Sequence, residues 1–405
     1  MKPRFIAFYL PQFHPISCND EWWGKGYTEW RSVTQARPLY RGHYQPHEPA
    51  DLGYYDLRLP EIREQQAELA REGGVEGFCY WHYWMGNGRM LLDRPFREVL
   101  ESGKPDFPFC LGWANHNWTN RNWTKHSSFL KEKNLIEMVY SKQDYIDHFN
   151  HILPAFKDHR YITVDGKPLF YVFAPDSIPD TKELIDTWQE LALKNGLKGI
   201  YFVANTQNMN VHFKDANGKF MIPRTDESGK IYEKYLSIGY DAVSSRGDMR
   251  AEILAKGKFQ VTFSRVLRKI FKYENLKKYS YKQIIRNLFV EEDKWENVFP
   301  CVIPNWDRSP RAGKEAVIYD GSTPALFEKS VEDALNIVKD KKDDHQIIFV
   351  KSWNEWGEGN HLEPDLKFGH ELIIALKQYR LYHSNDTASL AWLQVSLFTW
   401  LAIPV

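Results

Sequence analysis

The chain has 405 residues, and its 53 Lys plus Arg are balanced by 53 Asp plus Glu. That neutrality excludes a general nucleic-acid or polyanion binder, which needs a basic excess. A folded chain of this mass leaves roughly 16,000 Å² exposed and buries about three quarters of its unfolded surface, so its core needs no covalent staples. Four cysteines (Cys18, Cys79, Cys110, Cys301) lie far apart without a CxxC pair, which reads as single thiols of a reducing compartment.

The first apolar stretch, Phe5–Leu10, is too short for the core of a secretory signal. A cytoplasmic protein is therefore expected. In chain order, β-rich runs occur at Phe5–Leu10, Gly77–Tyr83, Pro108–Ala114, Leu169–Phe173, Ile200–Ala204, Tyr240–Ser244, Val298–Pro304 and Ile347–Trp353. Helical patterns fall between several of them: Leu59–Glu72, Lys142–Phe156, Thr181–Lys194 and Pro324–Val338. Pro60 suits a helix's first turn, and Gly73-Gly74 ends that helix. Alternation of this kind predicts an α/β fold closed on itself, a (β/α)₈ TIM barrel over residues 1–380. An open doubly wound sheet is the alternative, but no GxGxxG or GxxxxGK follows any run, so a nucleotide site has no support.

Two segments interrupt the alternation. Residues 15–58 form a long aromatic and His-rich excursion after the first strand, long enough to wall one face of a barrel. A basic insert, 252–289, follows the sixth strand; from Lys256 to Arg286 it holds ten Lys or Arg against one acid, Glu274. It reads as a solvated helical insert, with a peripheral contact to anionic lipid as the other reading. The C-terminal tail, 381–405, ends in the uncharged stretch 388–405, read as a packed terminal helix or a membrane attachment.

Aromatic residues are abundant, with 15 Trp, 22 Tyr and 24 Phe. Many stand beside polar groups, as in Glu21-Trp22-Trp23, Trp81-His82-Tyr83-Trp84 and Trp113-Ala114-Asn115-His116-Asn117-Trp118. Flat rings mixed with hydrogen-bonding groups suit a sugar-binding cleft. These clusters follow the predicted strands, as do Gln12 and His14, Asn305 to Arg308, and Asn354 to Glu358. In a barrel the carboxyl ends of all strands share one face, where the loops build an active site.

Glu355 and Glu358 directly follow the last run, within Trp353-Asn-Glu-Trp-Gly-Glu-Gly359. Cleaving a glycosidic bond needs one group to protonate the leaving oxygen and another to support the anomeric centre. Two glutamates on one loop among indoles can supply both. Spacing leaves inversion and retention equally open.

Asn354-Glu-Trp-Gly-Glu-Gly359 resembles the N-E-W-x-E-G motif of glycoside hydrolase family 99, the endo-α-1,2-mannosidases and mannanases. The rest of the chain is similar to the related WbsX-like proteins found with bacterial surface-polysaccharide genes. The matching stretches are Phe8–His14, Asp20–Gly26, Gly42–His47, Gly77–Tyr80, Trp113–Asn115 and Trp353–Pro364. This resemblance implies a (β/α)₈ barrel, no metal or other cofactor, and retention of configuration. It also implies that Glu355 deprotonates the sugar's own 2-hydroxyl while Glu358 acts as general acid and then base. Gly357 departs from the histidine usual in family 99, and His116 from the glutamate common after W-A-N in the WbsX-like group.

The expected catalytic pair is therefore Glu355 and Glu358. Expected sugar contacts are His14, Trp22, Trp23, Trp81, His82, Tyr83, Trp113, Asn115, His116, Trp118, Trp306, Asp307, Asn354 and Trp356. His43 and His47 have the spacing of two zinc ligands on a helix, but Gly42 and Pro46 break any helix there and no third ligand is obvious. His14, His43 and His47 are therefore expected to bond to sugar hydroxyls or to Asp and Glu of the loop wall. Asn117-Trp-Thr119 and Asn122-Trp-Thr124 match glycosylation sequons but read as polar cleft residues. The leading expectation is a retaining glycoside hydrolase acting on α-mannoside-like linkages of an oligo- or polysaccharide. Glycosyl transfer or transglycosylation in polysaccharide synthesis, and a non-catalytic glycan-binding barrel, stand as alternatives.

Overall fold

The structure is a computed structural model and describes residues 3–120, 133–206, 225–255 and 276–383. Eight strands form its centre: β1 (Arg4–Tyr9), β2 (Gly77–Trp84), β3 (Phe109–Trp113), β4 (Lys167–Val172), β5 (Tyr201–Asn205), β6 (Ala242–Ser245), β7 (Val298–Val302) and β8 (Ile347–Val350). Each pairs in parallel with the next. The sheet closes because Ala7 on β1 stands opposite both Phe78 on β2 and Val350 on β8. The (β/α)₈ barrel is thus present, and the open sheet is not.

All eight expected runs are barrel strands, with ends displaced by a few residues. The seventh stops at Val302, short of Pro304. The eighth stops at Val350, because the Ser352 N–H turns away to the Asn360 carbonyl at 2.7 Å. The helices Pro60–Glu72, Lys142–Phe156, Thr181–Lys194 and Pro324–Val338 lie where the periodicity put them. Their starts are fixed locally: the Ser141, Asp180 and Thr323 side chains accept from the N–H groups of Asp144, Glu183 and Leu326. Further helices, including Arg94–Ser102, Thr225–Ile238 and Glu371–His383, complete the outer layer.

Aromatic rings fill the barrel. Phe8 stacks on Trp81 at 4.7 Å and on Phe349 at 5.3 Å, and Tyr171 closes on Phe8 at 4.9 Å. These residues come from β1, β2, β4 and β8, so they meet across the lumen as a packed layer. The opposite faces of the strands pack on the helices, as where Trp188 meets Phe170 at 4.7 Å and Phe202 at 5.7 Å.

The basic insert differs from its expected form where it is described. Lys277–Ser280 pairs in parallel with Val317–Asp320, and the helix Tyr281–Arg286 buries Tyr281 and Ile284 against the body. Residues 256–275 and the tail from 384 lie outside the described residues, as does the sequon at Asn122. Among the described residues no helix is long and apolar enough to cross a membrane.

Two asparagines act as clips between strand ends. Asn115 donates to the Ala174 carbonyl at 2.8 Å and accepts its N–H at 2.7 Å. Asn354 treats Leu10 identically, accepting at 2.7 Å and donating at 3.0 Å. Each amide thus satisfies a buried peptide group at the rim, where the ladder has ended. Replacing Asn115 by Ala strands both Ala174 groups at roughly 1–3 kcal/mol each. Urea unfolding should show a clearly lowered midpoint, and an unchanged one would contradict the clip.

Candidate active site

The carboxyl ends of the strands open into a cleft of about 300 Å³. Its lining includes Leu10 and Gln12 after β1, Trp81 and Tyr83 on β2, Ala114, His116 and Trp118 after β3, and Phe173 after β4. Trp306, Arg308 and Arg311 follow β7, and Lys351, Glu355 and Glu358 follow β8.

The glutamate loop is held by its own backbone. Ser352 Oγ accepts the Glu355 N–H at 2.9 Å, and Trp356–Glu358 makes one turn ending at Gly359, whose φ is +66°. A Cβ at Gly359 would lie 3.0 Å from that of Asp307, so both conformation and space require glycine. The Asp307 N–H in turn donates to the Glu358 carbonyl at 2.7 Å.

Arg311 organises the charges. Its Nε donates to Glu29 at 2.7 Å, and its Nη1 reaches Glu355 at 3.2 Å and Glu358 at 2.8 Å. Arg308 Nε lies 3.0 Å from Glu358, and Lys351 Nζ lies 3.6 Å from its other oxygen. Lys351 also sits 3.8 Å from the Trp306 ring centre, a cation–π contact. Three carboxylates therefore meet three cations in a buried patch, where the alternative would be an uncompensated charge.

The pair is electrostatically split. Burial, with the nearby Glu358 charge, raises the Glu355 carboxyl above its ordinary value against the pull of Arg311 and Lys351. Burial also pushes Glu358 up, but Arg311, Arg308 and Lys351 together overcome it and hold that carboxyl at about 2. Lys351 is lowered to about 8 by burial and the Arg246 charge, despite Glu358, Glu355 and Asp248. Burial lowers His116 to about 4, so its imidazole is neutral.

The structure brings together seven of the expected residues at the cleft: Trp81, Tyr83, His116, Trp118, Trp306, Glu355 and Glu358. Trp22 stands behind them, its ring 6.0 Å from that of Trp118. The others lie elsewhere. Strand alternation turns His82 away from the lumen that holds Trp81, and it meets His148 at 2.8 Å on the helix side. Trp113 faces outward likewise and donates to the Trp84 carbonyl at 2.8 Å. Asn115 and Asn354 are spent on the clips. Trp356 packs beneath the site, donating to Glu363 at 2.6 Å and stacking on His361 at 3.6 Å. Asp307 accepts from His43 at 2.7 Å and Gln45 at 2.6 Å, fastening the excursion of residues 15–58 to the β7 loop. His14 is buried near Asp56 and Arg58, and Trp23 packs toward Tyr27 at 6.3 Å.

Sequence reasoning missed Gln12, Glu29, Arg308, Arg311 and Lys351 as site residues. Gln12 is fully buried, lines the cleft, and neither amide atom has a partner among the described residues. It shares the lumen side with Leu10, a register that two-residue alternation from β1 could have given. Gly357 also becomes intelligible. A Cβ there would fall on the Glu29 carboxylate and within 2.9 Å of Arg311 Nε, so the ion pair occupies the side-chain space.

Comparisons with known proteins bear on this geometry. The chain resembles in fold a family-99 endo-α-mannosidase from Bacteroides thetaiotaomicron, with a TM-score of 0.53 and 15% identity, covering 95% of this chain and 98% of that one. It is likewise similar to a protein described as glycoside hydrolase-like, with a TM-score of 0.56, 13% identity and 93% coverage of each chain. It is 31% identical over 394 residues to the uncharacterized protein WxcX of Xanthomonas campestris pv. campestris, covering 96% of this chain and 51% of that protein. The chain thus spans about half the length of the curated relatives it matches. A family model described as glycosyltransferase WbsX matches residues 5–376, and the chain belongs to that family.

Proposed function

We propose that the chain is a carbohydrate-active enzyme that breaks a glycosidic bond of an oligo- or polysaccharide, with Glu355 and Glu358 as the reacting carboxyls. The observation that carries this reading is that one nitrogen, Arg311 Nη1, binds both, at 3.2 and 2.8 Å. Those two oxygens therefore lie within about 6 Å of each other, inside a cleft walled by Trp81, Tyr83, Trp118 and Trp306. Retention of configuration is proposed, as the resemblance to family 99 implies. Gln12 and the buried Nδ1 of His116, which has no partner among the described residues, offer hydrogen bonds to sugar hydroxyls beside the rings. The linkage proposed is α-mannoside-like, as the resemblance to family 99 implies.

The charge pattern of the free protein orders the two roles. Glu355 is the carboxyl that keeps its proton more readily, and it gives that proton to the departing oxygen. Glu358, held anionic by Arg311, Arg308, Lys351 and Arg246, supports the anomeric centre as a charge. This reverses the assignment expected from the sequence resemblance. Transfer to a second sugar in place of water is the other reading, favoured by the family's description as a glycosyltransferase. The same two carboxyls would serve it, and product analysis with added acceptor sugars separates the two.

Wild type is expected to turn over an activated α-mannoside, and Glu355→Gln or Glu358→Gln to lose roughly 10²–10⁴-fold in rate on an unactivated linkage. A leaving group that needs no proton should rescue Glu355→Gln and leave Glu358→Gln slow. The opposite rescue restores the role order of the resemblance, while sugar binding without turnover overturns the enzyme reading.

The Lys351 ammonium faces Arg246, Asp248, Glu355 and Glu358 and titrates at about 8. Below that pH it carries its charge and helps to hold Glu358 anionic. Glu355, the proposed acid, works only while it holds its proton, so kcat/KM should fall as rising pH ionises that raised carboxyl. The Lys351 charge pulls Glu355 down, so Lys351→Met should move the limb upward. An unmoved limb would assign it to another group.

Gly357→Ala should displace Glu29 from Arg311. The expected result is a rate loss of about 10-fold or more with folding retained in circular dichroism, since a small misplacement of reacting groups is costly. An unaltered rate would show that the Glu29 pair does not position the glutamates.

A further inference from the structure

We infer that His47, His361 and Asp365 form a binding site for one divalent transition-metal ion, zinc by its ligand set, behind the catalytic loop. The three residues are buried and come from two distant stretches, His47 from the excursion after β1 and the others from the chain after Glu358. One ligand atom from each lies within 4.8 Å of the other two. His47 Nδ1 is 2.9 Å from His361 Nε2, which is 3.9 Å from Asp365 Oδ2.

The surroundings orient these atoms. His361 Nδ1 lies 3.0 Å from the Glu363 carbonyl, which can only accept. That nitrogen therefore carries the hydrogen, and Nε2 presents its lone pair to the group. A ligating histidine is ordinarily fixed in this way by the hydrogen bond of its other nitrogen. Asp365 Oδ1 accepts the N–H groups of Lys367 at 3.0 Å and Phe368 at 2.7 Å, which leaves Oδ2 toward the imidazoles.

A small cavity of about 10 Å³ adjoins these side chains, roughly the space of one water-sized sphere. His47, His361 and Asp365 all line it, and so does Asn305, whose buried Oδ1 has no hydrogen-bond partner among the described residues. His361 Nε2, Asp365 Oδ2 and Asn305 Oδ1 present lone pairs beside this space, whose lining also includes the Ser322 and Thr323 hydroxyls. A cation would be met by those lone pairs; a water would meet the same groups, and the cobalt(II) absorption separates the two.

Two imidazoles and a carboxylate select zinc over magnesium or calcium, which favour all-oxygen sites. Tetrahedral zinc with bonds of ~2.0–2.1 Å sets its nitrogens roughly 3.3 Å apart, so the imidazoles would separate by only about 0.4 Å. None of the three ligands lines the cleft, so the ion would be structural. It would fasten the wall at His47 to the loop that follows Glu358. Asn305 adds the β7 loop, whose Asp307 N–H holds the Glu358 carbonyl at 2.7 Å.

The test uses the full chain purified without a chelating column. Elemental analysis should find about one equivalent of zinc, removable with dipicolinate and restored by zinc chloride with a rise in Tm. Cobalt(II) added to stripped wild type should give the visible absorption of a tetrahedral site, a readout that needs no variant. His47→Gln and Asp365→Asn should each weaken zinc binding by at least about 100-fold. No stoichiometric zinc uptake by stripped wild type, or uptake equally tight in His47→Gln, would overturn the inference.

Discussion

The Arg311 guanidinium, shared among Glu29, Glu355 and Glu358, is the contact on which the rest of the site depends. Burying three carboxylates together is prohibitive unless cations stand among them, and a planar fork can serve several acceptors at once. Arg311 comes from the short helix Ser309–Ala312, Glu29 from the wall and the glutamates from the β8 loop. One side chain therefore joins three loops that are remote in sequence. The same contact accounts for Gly357, because the Glu29–Arg311 pair fills the place of a side chain. It also accounts in part for the split between the glutamates. Arg308 and Lys351 add to Arg311 at Glu358, whereas among the ion pairs of the described residues Glu355 has Arg311 alone.

Much of the fold was legible because a parallel barrel writes itself in local patterns. Strands covered on both sides read as apolar runs, such as Ile347–Val350, and the four anticipated helices carry strong starts at Pro60, Ser141, Asp180 and Pro324. Strand ends were harder, because they are set by what the rim offers in place of a ladder. Ser352 leaves the sheet for Asn360, a partner eight residues on that no propensity announces.

The site was legible in part, and its misreadings share a cause. Residue type after a strand suggests a side chain facing the ligand, but alternation sends every second side chain to the helices. Hence Trp81 and Tyr83 line the cleft while His82 meets His148. Asn115 and Asn354 had the right chemistry for sugar hydroxyls, yet buried peptide groups at the rim claimed them. Arg311, Glu29 and Lys351 carry no periodic signal, since a charge in a loop is ordinarily solvated. Only the assembled barrel turns them inward.

The cations of the buried patch are already engaged, which bears on the donor under the proposed function. With Glu355 protonated as the acid, Arg308, Arg311 and Lys351 face Glu29 and Glu358. On that proposal a neutral glycan would stack on the rings and bond to Gln12 and His116 without drawing on these pairs. A nucleotide diphosphate sugar would bring at least two further negative charges next to Glu358. To be held it would have to draw Arg308, the most exposed of the three cations, away from that carboxylate. Glu358 would then stand closer to a repelling phosphate with fewer partners, which is costly at low dielectric. Under the proposed function, these pairs favour a sugar donor whose leaving group is another sugar, for hydrolysis and for transfer alike.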